Sequence, residues 1–191
     1  MNKKTPFSFN LLLFYAKCFT YPYEEMVYEL HHLYRVLEQS VSNDEEYTFT
    51  NQILDVINGF QGIDFKELRD EYVQLFSNLG EQKSLCPLIA SDFLLRNAKH
   101  IEVDSLFDIF TDAGLPFDES EPPDSIINIL EYLSIIINPD AGFSDAEIDL
   151  FYQDFVMSWI PGFCDTLNKA SGIGFYRDVA VNLKDYLFWL S

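Results

Sequence analysis

Apolar and polar residues follow one another with the period of an α-helix through most of this chain. Apolar positions recur three and four residues apart, a spacing that places them on one helical face. Turn-forming pairs such as Asn58-Gly59 and Asn138-Pro139 separate these stretches, and the alternation typical of strands is absent. The pattern predicts helices over residues 23–39, 50–60, 65–78, 90–98, 103–113, 125–138, 145–159, 161–169 and 173–190. We expect an all-α protein of about nine helices in one bundle-like fold.

A first amphipathic helix is predicted ahead of these segments. We expect Ser8 or Asn10 to cap it and Pro22 to end it at Tyr21. Lys17 interrupts its apolar run, so the segment does not read as a secretory signal. The side chains expected to face inward are Leu11, Leu12, Tyr15 and Phe19.

Residues 114–124 are the one convincing linker. They hold three of the eight prolines together with an acidic run that lacks apolar anchors. The linker could divide an N-terminal half, 1–113, from a C-terminal half, 125–191, or the helices on both sides could share a single core. We describe the chain as one helical domain, 1–191, with a hinge at this position.

The charge distribution is strongly one-sided. The formal net charge is −19, and fifteen carboxylates but no lysine or arginine lie between Lys99 and Lys169. Such a chain repels nucleic acid, because phosphate binding needs clustered basic residues, and it attracts cations. Aromatic residues are interleaved with the carboxylates, so the predicted partner is both basic and apolar.

Catalytic and metal-binding patterns are missing from the sequence. The three cysteines, Cys18, Cys86 and Cys164, form no metal or redox motif, and the three histidines lack metal-ligand spacing. No apolar run reaches the roughly 20 residues of a membrane span. We expect a cytoplasmic protein that is not an enzyme, that carries no metal or cofactor and that inserts no segment into a membrane.

Several residues could belong either to the core or to a binding site. Tyr72, Leu75 and Phe76 share a helical face, which ordinary core packing also explains. Asp124 or Ser125 is expected to cap the very apolar helix that follows, and a capping carboxylate at the mouth of a groove can also receive a cation.

Two further features also fit either a structural or a binding role. Glu131 lies at the edge of the apolar stripe of its helix, where a structural hydrogen bond or a ligand contact would each account for it. Aromatic residues recur at intervals of four up to Pro161, a pattern more typical of a core than of a site. These are Phe151, Phe155, Trp159 and Phe163.

The order of these pieces resembles the TorD/DmsD family of cytoplasmic redox-enzyme maturation chaperones, from about Leu11 to Leu190. The matching elements are Tyr72-x-x-Leu75-Phe76, Cys86-Pro87-x-x-x-Ser91, Pro123-Asp124 with Leu130-Glu131-Tyr132, Phe151 with Trp159-x-x-x-Phe163, and Phe175-Tyr176. Ser125 and Phe155 stand where the family pattern usually has histidine, so roles that need an imidazole do not carry over.

The resemblance implies a chaperone that binds the twin-arginine signal peptide of a molybdenum oxidoreductase precursor and assists its maturation before export. It implies either a monomer or a domain-swapped dimer. Asp124 and Glu121 would then meet the arginines. The alternative is an acidic helical adaptor that binds a folded basic partner. The residues expected to bind the signal peptide are Tyr72, Leu75, Phe76, Glu121, Pro123, Asp124, Ser125, Glu131 and Trp159.

Overall fold

The structure is a computed structural model that describes residues 5–78, 83–96, 103–112 and 122–191. Within these ranges the chain forms ten α-helices, and its one piece of β-type pairing is an isolated bridge between Ile89 and Ser125. The all-α prediction is confirmed. The helices are α1 (Pro6–Cys18), α2 (Met26–Ser40), α3 (Asp44–Gln61), α4 (Phe65–Phe76), α5 (Ala90–Arg96), α6 (Val103–Asp112), α7 (Ile126–Ile136), α8 (Asp145–Phe151), α9 (Ile160–Ala170) and α10 (Gly174–Leu190).

Helix α1 lies at the centre of the fold. A helix that is apolar nearly all round must be covered by its neighbours, and α1 packs against α2, α7 and α10. All four side chains predicted to face inward are fully buried. The predicted caps are wrong: Thr5 Oγ1 accepts from the Ser8 N–H at 3.2 Å, because Pro6 fits the first helical position. The helix ends at Cys18 rather than at Tyr21.

Two other helices begin at positions that the apolar pattern does not mark. Helix α3 begins at Asp44 instead of residue 50, since the Asn43 side chain caps it and its first turn is acidic. Helix α2 begins at Met26 instead of residue 23. The first turn of α3 is polar, so periodicity places its start too late, whereas for α2 the pattern places the start three residues too early.

The segment predicted as one helix over 145–159 is interrupted. After α8 the chain makes a π-helical turn over Tyr152–Met157, and α9 starts at Ile160. The Tyr152 hydroxyl donates to the Leu187 carbonyl and fastens this turn to α10. Ahead of α8, a short 3-10 turn over Pro139–Ala141 ends at Gly142, whose φ of 79° favours glycine.

The helices share one buried hydrophobic cluster that runs from Phe7 in α1 to Leu190 in α10. Helix α10 packs on α9 and α3, while Phe110 of α6 packs its ring against Tyr132 of α7. The predicted linker over 114–124 lies outside the described residues except for its last three positions. None of the described helices is both long enough and apolar enough to cross a membrane.

We expect the buried carboxylate of Glu46 to stabilise the junction of α1, α2 and α3. It accepts hydrogen bonds from Thr5 Oγ1 at 3.1 Å, from Ser42 N–H at 2.7 Å and from Ser42 Oγ at 2.8 Å. Glu46→Ala removes the acceptor of three hydrogen bonds that join these segments, so the free energy of unfolding should fall by about 1–3 kcal/mol in urea denaturation. Glu38→Ala, at an exposed position on α2, should change it by less than about 0.5 kcal/mol. Equal stability of the two variants would contradict this role.

Candidate functional site

The predicted site residues of α4 lie in the core. Tyr72, Leu75 and Phe76 are each 9% exposed or less. The Tyr72 hydroxyl donates to the Phe19 carbonyl at 3.1 Å, and the half-exposed ring of Tyr21 packs edge-on against Tyr72 at 5.3 Å between centroids. The half-exposed Tyr21 ring is therefore one of the groups that cover Tyr72.

These residues are joined to Trp159 through a continuous set of ring contacts. Phe76 packs on Phe19 at 6.2 Å, Phe19 on Phe163 at 5.5 Å, and Phe163 on Trp159 at 5.7 Å. The Trp159 indole N–H donates to the Phe155 carbonyl at 2.7 Å, so its polar atom is satisfied within the core. The structure thus brings the predicted aromatic residues together. We call this the aromatic cluster: Phe19, Tyr72, Phe76, Phe93, Trp159 and Phe163.

Asp124 lies where the chain entering α5 crosses the chain entering α7. Its carbonyl accepts from the Ala90 N–H at 2.9 Å, and the Ile126 N–H donates to the Leu88 carbonyl at 2.8 Å. The Asp124 carboxylate accepts from the Ser91 N–H at 2.8 Å through Oδ2. Asp124 therefore caps the start of α5, and Ser125, the other predicted cap, is the one that caps α7.

The crossing of these two segments connects Asp124 to the aromatic cluster. Phe93 follows Ser91 on α5, and its ring packs against Trp159 and Phe163, each at 6.0 Å. Asp124 itself is 2% exposed, and Pro123 beside it is half-buried. One carboxylate oxygen of Asp124 is engaged by α5, and the residue is held in a fixed position. Glu121, the second predicted partner of an arginine, lies outside the described residues.

Glu131 belongs to a different part of the surface. It lines a cleft of about 540 Å³ between α1, α2 and α7, and none of the other described site residues lines that cleft. Desolvation by the surrounding protein raises the pKa of Glu131, while Lys17 across the cleft lowers it. Lys17 is itself paired with Glu29, with Nζ at 2.5 Å from Oε2.

A carboxylate that the sequence did not single out, that of Glu71 in the middle of α4, joins this helix to the start of the C-terminal helix. Glu71 Oε1 accepts from the Gly172 N–H at 2.6 Å, the Ile173 N–H at 3.3 Å and the Ser171 hydroxyl at 2.8 Å. Helix α10 has no capping side chain of its own, so Glu71 supplies the negative charge at its N-terminus. In the sequence, Glu71 stands out only through its position next to Tyr72.

The three cysteine thiols lie in the interior of the protein. Cys18, Cys86 and Cys164 are free and buried, and burial raises the pKa of each thiol. They remain protonated near neutral pH, the form that is a poor nucleophile and a poor metal ligand. Among the residues that the structure describes, no group of three or more histidine, cysteine or acidic side chains could hold a metal ion.

The chain is similar to known proteins both in sequence and in structure. The profile of the family described as nitrate reductase delta subunit matches residues 41–165. A crystal structure of an Archaeoglobus fulgidus protein assigned as a redox enzyme maturation protein superposes with a TM-score of 0.59 and 19% identity, covering 94% of this chain and 93% of the other. At this identity the superposition shows a shared fold. No curated protein sequence matches the chain.

We expect Asp124 to be needed for stability as the cap of α5. Asp124→Ala should lower the free energy of unfolding by about 1–2 kcal/mol, because the Ser91 N–H loses its acceptor. Asp124→Asn keeps an amide oxygen at this place and should cost less. Asp55→Ala, at an exposed position within α3, serves as the control in the same urea titration. If Asp124→Ala were as stable as the control, the hydrogen bond from Ser91 to Asp124 would not contribute to the free energy of unfolding.

Proposed function

Because the chain belongs to the nitrate reductase delta subunit family, that of the TorD-like redox enzyme maturation chaperones, we propose that it binds the twin-arginine leader of a molybdenum oxidoreductase precursor. The coarser role of redox enzyme maturation chaperone follows from the family. In the proposed role the protein holds the precursor in the cytoplasm until the cofactor has been inserted.

The observation that carries this proposal is the family match, which spans every predicted leader-binding residue from Tyr72 to Trp159. The charge of the chain supports it. A leader joins two arginines to an apolar segment, and this chain joins a net charge of −19 to an interior rich in aromatic residues. Electrostatic attraction of this kind speeds encounter and selects basic partners.

In this proposal Asp124 receives a leader guanidinium through a charge-assisted hydrogen bond, with Glu121 as its neighbour. Pro123 and Ser125 keep Asp124 in place through the crossing of the two loops. The residues proposed to meet the apolar part of the leader are Tyr72, Leu75, Phe76 and Trp159. Because these four are buried, the leader must displace a covering group, and the half-exposed Tyr21 ring packed against Tyr72 is one such group.

We expect the tagged protein to capture oxidoreductase precursors that still carry their leaders. A pulldown from anaerobically grown native cells, read by mass spectrometry, tests this directly. Replacing both leader arginines of a captured precursor with glutamine should abolish its recovery, since the paired positive charge is lost. Recovery confined to folded partners without leaders would reject the proposal in favour of an acidic adaptor subunit.

We also expect Asp124→Asn to weaken leader binding about tenfold, since a hydrogen bond to a charged group contributes roughly 1.5–3 kcal/mol. The effect should shrink as salt is added, because part of the attraction is screened. Asp55→Asn removes the same charge from an exposed site on α3 and is the control. Isothermal titration of a synthetic leader peptide, with circular dichroism to verify folding, separates a lost contact from a lost fold. Identical binding by both variants would remove Asp124 from the site.

A further inference from the structure

Two clefts lie on either side of the first turns of α2 and meet at Tyr28. The larger, of about 540 Å³, and the smaller, of about 370 Å³, both have Tyr28 in their lining. This tyrosine is 75% exposed, so a large aromatic side chain stands in solvent between two concave surfaces. Exposed aromatic residues next to pockets are typical anchors of protein interfaces.

The larger cleft, here called the acidic cleft, combines an apolar floor with an excess of negative charge. Leu13 and Leu33 line it together with three carboxylates, those of Glu25, Glu29 and Glu131. Lys17 is the one basic side chain among its lining residues apart from His32. Within the described part of the chain, Lys17 pairs with Glu29, and no ion pair involves Glu25 or Glu131.

Lys17 also shows how a cation is accommodated at this place. Its Nζ lies 2.5 Å from a Glu29 oxygen and 4.9 Å from the centroid of the Tyr23 ring. A cation here therefore receives both a carboxylate and an aromatic face, which is the environment that suits a guanidinium group. Glu131 lines the same cleft and is exposed, so a cation can reach its carboxylate from solvent.

The smaller cleft, here called the apolar cleft, has a different lining. Its apolar side chains are Val27, Phe60, Ile63 and Phe65, with Glu24, His31 and Gln61 at the polar positions. Phe60 is 5% exposed and forms part of the core, so the cleft floor is fixed. Such a surface fits an aliphatic or aromatic side chain better than a charged one.

We propose that the acidic cleft and the apolar cleft form one docking surface for an extended segment of the client that places a basic side chain beside an apolar one. In an extended chain the side chains of residues i and i+2 point to the same side, so a segment that crosses Tyr28 can place one such side chain into each cleft. The identification of that segment with the arginine-containing part of the leader rests on the function proposed above. Charge complementarity favours this occupant, because the cations of a basic segment can pair with the carboxylates of Glu25 and Glu131.

This surface is separate from the site around Asp124. Helices α1 and α2 precede the residues that the family profile matches, which begin at residue 41. Glu131 and one wall of the apolar cleft, formed by Phe60, Gln61, Ile63 and Phe65, come from the matched part. Unlike the aromatic cluster, Tyr28 requires no rearrangement to be reached. The surface therefore gives the client a first point of contact in the structure as it stands.

The test is fluorescence anisotropy with a labelled synthetic peptide that carries two adjacent arginines ahead of a leucine-rich segment, at low ionic strength. Tyr28→Ala should weaken binding roughly fivefold or more. The double variant Glu25→Gln/Glu131→Gln should weaken it about threefold to tenfold. The matched controls are Tyr47→Ala, which removes a tyrosine 60% exposed on α3, and Glu38→Gln, which removes a charge from an exposed position on α2 outside the clefts. Both should bind as wild type.

Lys17→Gln supplies a test with the opposite sign. Removing the internal cation releases Glu29, so binding should tighten about twofold to fivefold. Lys66→Gln, which breaks the exposed pair of Lys66 with Asp70 on α4, changes the net charge equally and should have a smaller effect.

The outcomes separate this surface from the proposed function. If the peptide binds wild type and the cleft variants, once verified as folded by circular dichroism, bind it equally well, the docking surface is rejected and leader binding stands. If the peptide does not bind wild type at all, both proposals fail. If Tyr28→Ala and the double carboxylate variant lose affinity while the controls do not, the surface is supported.

Discussion

The fold depends on the burial of α1, a helix that is apolar on nearly every side. Eight of its thirteen residues are buried, so it cannot be stable unless other helices surround it. Helices α2, α7 and α10 do so. The few half-buried positions of α1 are therefore the places where the central helix reaches the surface. Leu13 and Lys17 are two of these positions, and both line the acidic cleft.

Phe19, the residue that follows α1, connects this central helix to the aromatic cluster. The Phe19 ring packs on Phe76 and Phe163, and its carbonyl receives the Tyr72 hydroxyl. The aromatic cluster is thus assembled against the end of the central helix, and Asp124 is linked to it through α5 and Phe93. Residues that resemble a binding motif in the sequence are, in the structure, also the contacts that hold four segments together. A substitution in this region will therefore alter stability as well as binding unless it preserves the hydrogen bonds, as an amide in place of the Asp124 carboxylate can.

Periodicity predicted the helices well where apolar residues begin and end them, as in α7 and α10. It failed where the first turn is polar: the start of α3 is set by Asn43 and by the acidic residues after it, and these carry no apolar signal. Local capping was predictable for Ser125, whose partner Asn128 is three residues away. The pairing of Asp124 with Ser91 and of Glu71 with Gly172 was not, because each joins segments that only the tertiary fold brings together. The acidic cleft was missed for the same reason, since its lining comes from three separate helices.

The internal pair of Lys17 with Glu29 bears on selectivity. A pair with both members partly exposed contributes about 0–1 kcal/mol, so a ligand cation can replace Lys17 at little cost. Yet the pair neutralises one carboxylate of the acidic cleft, which lowers the attraction for any cationic ligand. A ligand with two adjacent cations can engage Glu25 and Glu131 and leave Lys17 in place. In the proposed docking surface such a segment makes two contacts with carboxylates where an isolated lysine or arginine makes one. Because the whole chain carries a net charge of −19 and attracts any cation, this additional contact is what would favour the doubly charged segment.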